Sequence, residues 1–134
     1  ARRDLHQIFL VAPTTTDQRL ERAAELAGGF LYYVSLKGVT GAATLDTDSL
    51  APAVARIRRA AGVPVAVGFG IRTPEHAAAA AGSADAVVIG SALVERLGKA
   101  DSVEAAVAAA RDYLAPIRRA MDNTASSQSD VVSA

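Results

Sequence analysis

Val65-Ala66-Val67-Gly68-Phe69-Gly70-Ile71, followed by Arg72-Thr73-Pro74-Glu75, decides the fold. Residues 64–67 form a short apolar strand that runs straight into a turn with two glycines. Thr73-Pro74-Glu75 then supplies an N-cap hydroxyl, a proline suited to the first helical position and an acid for the first turn. The helix that follows is an alanine run ending near Gly82.

The same strand-then-helix order recurs on both sides. Upstream, residues 7–11 hold Ile8, Phe9, Leu10 and Val11, closed by Ala12-Pro13. Such a run suits a strand buried on both faces, as in a parallel sheet. Thr14, Thr15, Thr16 and Asp17 offer capping oxygens, and Leu20, Ala23, Ala24 and Ala27 recur at helical spacing. Gly28-Gly29 ends that helix where a left-handed C-cap is wanted. Residues 30–35 form a second strand, rich in aromatic and β-forming residues. The loop Lys37-Gly38-Val39-Thr40-Gly41-Ala42 leads to a helix with Leu50, Val54, Ile57 and Ala61 on one face, stopping at Gly62. Downstream, residues 86–89 are the fourth strand, and Gly90-Ser91 opens a short helix to about Leu97. A longer helix spans 103–121, with Asp101 or Ser102 as its cap. From Asp122 the composition turns polar without periodicity, which predicts a disordered tail over 122–134 behind one ordered unit, 1–121.

Four βα units with crossover-length connections predict an α/β fold with a parallel sheet. Four units are half of a (β/α)8, or TIM, barrel, and a whole barrel needs about 250 residues. At 134 residues, beginning with Ala1 ahead of a strand, the chain is expected to be the C-terminal half of such a barrel, a (β/α)4 half-barrel. A four-stranded open sheet is the alternative.

Composition narrows the function. Lys plus Arg equal Asp plus Glu at 14 each, so the basic surplus of a nucleic-acid binder or a polybasic membrane face is missing. No apolar run is long enough to span a bilayer, and the N-terminus shows no signal-peptide pattern. With no Cys, neither a disulfide framework nor a thiolate metal site can form. A cytoplasmic protein without a metal or cofactor of its own is expected. Apolar residues make up 51% but aromatics only 4%, so the core is built from small and branched side chains.

The glycines carry the functional signal. Gly38 and Gly41 follow the second strand, Gly68 and Gly70 the third, and Gly90 the fourth. All sit at carboxyl ends of strands, the face that bears active sites in barrels. Glycine there lets backbone N–H groups converge on an anion, helped by the short helix starting at Ser91. Each glycine alone is explained by a tight turn. The last two loops together, followed by a short extra helix, match the phosphate site found after strands seven and eight of many barrels.

Five ordered blocks also carry a resemblance: Leu10-Val11-Ala12-Pro13-Thr14-Thr15-Thr16-Asp17, Phe30-Leu31-Tyr32-Tyr33-Val34-Ser35, Gly38-Val39-Thr40-Gly41-Ala42, Val65 to Ile71, and Val88-Ile89-Gly90-Ser91-Ala92-Leu93-Val94. From about Leu5 to about Met121 the chain resembles the C-terminal half of the tryptophan synthase α subunit family. The resemblance implies strands five to eight of a (β/α)8 barrel and retro-aldol cleavage of indole-3-glycerol phosphate to indole and glyceraldehyde 3-phosphate. It also implies an α2β2 complex, in which the β subunit carries pyridoxal phosphate and consumes the indole.

Carried over by position, Gly41, Gly70, Gly90 and Ser91 are the implied phosphate cradle. Tyr32 and Phe69 are implied to lie beside the substrate, with Val34, Gly68 and Ile89 completing the lining. Thr40 is implied to orient a catalytic aspartate. The family's catalytic glutamate and aspartate belong to the first half, so no catalytic carboxylate is expected here. Asp17, Asp46 and Asp48 read as caps or loop residues, and Asp85 precedes its strand, at the end of a barrel that serves stability. Glu75 and Glu95 are early helical residues, and His6 and His76 fit surface or packing roles. Three functions therefore fit the pattern: part of a tryptophan synthase α subunit, another phosphate-binding barrel of amino-acid biosynthesis, or a non-catalytic half-barrel that binds phosphate or a partner chain.

Overall fold

The computed structural model describes residues 5–35, 47–68 and 70–131. Its elements run β1 (Phe9–Val11), α1 (Asp17–Leu26), β2 (Leu31–Val34), α2 (Thr47–Ala60), β3 (Val65–Gly68), α3 (Pro74–Ala81), β4 (Ala86–Val88), α4 (Ser91–Leu97) and α5 (Val103–Val131). The strands form one parallel sheet in the order β1-β2-β3-β4, so each βα unit lies beside the next.

The helix starts follow from the hydroxyls that precede them. Thr16 accepts a hydrogen bond from the Arg19 N–H, and Thr73 accepts one from the His76 N–H ahead of Pro74. Ser102, not Asp101, caps α5, accepting from the Ala105 N–H at 3.1 Å. α1 ends differently from the expected left-handed C-cap: Ala27 takes an extended conformation, and the positive φ falls on Gly29, at 80°.

Strand alternation sorts the sheet into two faces. Phe9, Val11, Leu31, Tyr33, Val65, Val67 and Val87 point to the helix layer, where they pack with Leu20, Leu50, Val54, Ile57 and Ile117. Leu20, Leu31, Leu50, Val54, Ile57, Val65 and Val67 are fully buried, each contributing roughly 1.5–3 kcal/mol relative to exposure. The opposite face carries Leu10, Tyr32, Val34, Ala66, Gly68, Ala86 and Val88 in register. Leu10 is 66% exposed there, so no layer of the described residues covers this face at β1.

The segment expected to be a disordered tail from Asp122 is instead helical through Val131. Adding residues to an existing helix costs far less than nucleating one. Arg118 pairs with Asp122 one turn on, and the Thr124 hydroxyl donates to the Ala120 carbonyl. An apolar stripe is not needed for such an extension.

Candidate substrate and anion site

The carboxyl ends of β2, β3 and β4 lie side by side, because Val34 pairs with Gly68 and Gly68 with Val88. Gly70 and Gly90 therefore each sit two residues beyond the same registered pair. The end of β3 is held by Ser35, whose N–H and hydroxyl both donate to the Gly68 carbonyl at 3.2 Å. Ser35 was not among the expected site residues. Its signal is a hydroxyl at the end of the second strand, to which no partner can be assigned without the register.

Tyr32 lies across Gly68 on the face away from the helices. A Cβ placed on Gly68 would fall on the tyrosine hydroxyl and 2.6 Å from its Cζ. Here the absence of a side chain is what admits the ring. Gly70 has φ 73°, a conformation that L side chains rarely adopt. Gly90 is the N-cap of α4, with φ −112° and ψ −88°, and no side-chain cap bond is made there. A Cβ on Gly90 would meet nothing within 4 Å. The space in front of it is open, and the first N–H groups of α4 have no acceptor within their own helix.

The sheet register fixes where several of the expected residues lie. Tyr32, Val34 and Gly68 share the inner face, and Gly70, Gly90 and Ser91 lie at the carboxyl ends of strands. Ile89 does not join the lining. It has the parity of Val87, so alternation puts it on the helix side, where it packs against the hydrophobic core. Thr40, Gly41, Phe69 and Asp46 lie outside the described residues.

Several of the described carboxylates are committed elsewhere. Asp17 pairs with Arg56 at 2.6 Å. At the amino end of β4, Asp85 pairs with Arg58 at 2.7 Å and accepts the Val65 N–H at 2.8 Å. Burial pushes the Asp85 pKa up, but these hydrogen bonds and the guanidinium outweigh it and hold the carboxyl below its ordinary value. The Thr73 hydroxyl lowers Glu75, and Lys99 with Arg72 lowers Glu95. A general acid needs the opposite shift. Among the described residues no three His, Asp or Glu side chains gather as a metal site.

A second group of contacts links the turn after β3 to α4 and α5. Arg72 pairs with Glu95 at 2.8 Å, and the Tyr113 hydroxyl donates to the Arg72 carbonyl at 3.0 Å. The Arg96 guanidinium lies 3.7 Å over the Tyr113 ring and donates to the Ala92 carbonyl.

Comparison with known proteins decides the family. A family model described as tryptophan synthase alpha chain matches residues 1–124. The chain belongs to the tryptophan synthase alpha chain family. The alpha chain of Ralstonia nicotianae is 56% identical over 115 residues, covering 86% of this chain and 43% of that protein. That of Halorhodospira halophila is 50% identical over 117 residues, covering 87% and 43%. Among solved structures, the alpha subunit from Legionella pneumophila superposes with a TM-score of 0.71 at 33% identity, over 89% of this chain and 43% of that one. A tryptophan synthase structure from Mycobacterium tuberculosis gives 0.70 at 34% identity, over 87% and 42%. The chain thus spans less than half the length of the alpha chains it matches, and its four parallel βα units are the C-terminal half of their barrel. No described helix is long and apolar enough to cross a membrane.

Proposed function

We propose that this chain supplies the phosphate- and indole-binding half of a tryptophan synthase alpha chain, a cytoplasmic lyase of tryptophan biosynthesis. The observation that carries it is the pairing of an open Gly90-Ser91 helix start with Tyr32 lying across Gly68 on the uncovered face. One end of a ligand such as indole-3-glycerol phosphate is a dianion and the other a flat aromatic. Backbone N–H groups at Gly70, Gly90, Ser91 and Gly41 would hold the phosphate, while Tyr32 and Phe69 would flank the ring.

In the cleavage, the bond between indole C3 and the glycerol carbon breaks. C3 gains a proton, and the adjoining hydroxyl loses one as it becomes the aldehyde of glyceraldehyde 3-phosphate. The two carboxylates for those transfers would come from the first half of the barrel, and Thr40 would orient one of them. The chain would need no metal or cofactor. A pyridoxal-phosphate-dependent β subunit in an α2β2 complex would take the indole.

A titration of glycerol 3-phosphate into the chain, followed by the amide resonances of Gly70, Gly90 and Ser91, tests the site. Saturable shifts at all three are expected. Shifts scattered over the surface, or none, would overturn the assignment. A non-catalytic half-barrel has its own warrant, since Asp17, Asp85 and Glu95 are held in ion pairs and no described carboxylate lies on the inner face of the strands.

A further inference from the structure

We infer that Tyr113, Arg72 and Glu95 are positioning residues that set the Gly70 turn against the start of α4, an inference that rests on the phosphate assignment above. The contacts form a closed ring. Tyr113, on α5, holds the backbone of the turn after β3 through the Arg72 carbonyl. The Arg72 side chain reaches Glu95 on α4. Its neighbour Arg96 returns to the face of Tyr113 and donates to Ala92, one residue past Ser91.

Three elements are therefore tied at the two loops where backbone N–H groups must converge. No other described side-chain bond joins the β3–α3 turn to α4. The register of β3 with β4 ends at Gly68 and Val88, so beyond those residues the sheet itself no longer fixes how far apart the loops stand. The ring takes over that role. Arg72 and Glu95 are about half exposed, and an exposed ion pair adds little to global stability. A preorganised anion site is more sensitive, because small displacements of its donors weaken every bond at once.

The test follows inorganic phosphate by the Gly90 and Ser91 amide resonances, in the chain and its variants. Tyr113→Phe keeps the ring beneath Arg96 and removes only the hydroxyl. It should weaken binding about three- to tenfold, the range of coupling in such networks, with helix content and unfolding midpoint unchanged. Glu95→Gln separates positioning from charge. Removing a negative charge near an anion should by itself tighten binding, whereas loss of the ring should weaken it. Glu104→Gln, the same charge change outside the ring, should not weaken binding. Parent-like affinity in Tyr113→Phe, or tighter binding in Glu95→Gln, would overturn the positioning role while leaving the phosphate site standing. No saturable shift in the parent chain would overturn both.

Discussion

The Tyr32 ring occupies the place where Gly68 would carry a Cβ. Both residues stand on the face of the sheet opposite the helices, one on β2 and the other at the end of β3. Gly68→Ala should therefore destabilise the chain by about 1–3 kcal/mol, the usual cost of overpacking. Tyr32→Phe should not restore it, because the ring carbons as well as the hydroxyl are in the way; Tyr32→Leu should. Urea unfolding of the single and double variants checks this, and a neutral Gly68→Ala would show that the ring swings aside freely.

Gly90 has the opposite character. A Cβ there meets nothing within 4 Å, and its φ is −112°. Gly90→Ala should leave stability within about 0.5 kcal/mol yet weaken phosphate binding, because the methyl would project into the open space proposed for the anion. The contrast between positions 68 and 90 separates a glycine needed by the fold from one needed by a ligand. Equal loss of stability at both would remove that distinction.

Asp85 gives the chain a defined acid limit. Its folded-state pKa lies below the ordinary 3.8, so its stabilising contribution is complete above that value. It is lost as pH falls through the lowered folded value. Unfolding midpoints should accordingly fall as the pH drops below the ordinary carboxylate value of 3.8. Asp85→Asn should be less stable than the parent at pH 7 and show a smaller drop on acidification. Parallel pH profiles for the two proteins would count against the Asp85–Arg58–Val65 arrangement as the source.

Much of this was legible in the chain because the signals were local. Thr73-Pro74-Glu75 marked the start of α3 within the very stretch that decides the fold, and alternation placed Tyr32 and Val34 together. Ile89 is implied as lining only by the resemblance, whereas strand alternation places it with Val87 on the helix side. The polar stretch after Met121 hid a helix extension, since continued helix needs propensity and not an apolar stripe. The Tyr113–Arg72 bond joins residues 41 apart, and nothing local announces it.

β1 and β4 are the edges of the described sheet, and Leu10 is exposed on its uncovered face. Open parallel edges beside an apolar face invite pairing with further strands. The chain by itself should therefore sediment as a dimer or larger species at micromolar concentration, and Leu10→Lys should shift it toward monomer. A sharp monomer boundary for the parent would mean that the edges are shielded.

The chain by itself should release no indole from indole-3-glycerol phosphate. Two proton transfers are needed, and general acid–base groups commonly contribute about 10²–10⁴-fold each. The described carboxylates cannot replace them. Asp17 and Asp85 are held in ion pairs, and Glu75, Asp85 and Glu95 are shifted toward the ionised form. An intact phosphate cradle would still bind the substrate without breaking its bond. Adding the first four βα units of an alpha chain as a separate polypeptide should restore turnover, if the two halves close into one barrel. In that reassembled enzyme Thr40→Val should lower kcat more than it raises KM, because its hydroxyl would orient a carboxylate and not hold the ground-state ligand. Indole release by the purified chain alone is the decisive measurement. Clear turnover would assign acid–base chemistry to one of this chain's own aspartates, Asp17, Asp46 or Asp48, and would refute the placement of both proton-transfer groups in the first half.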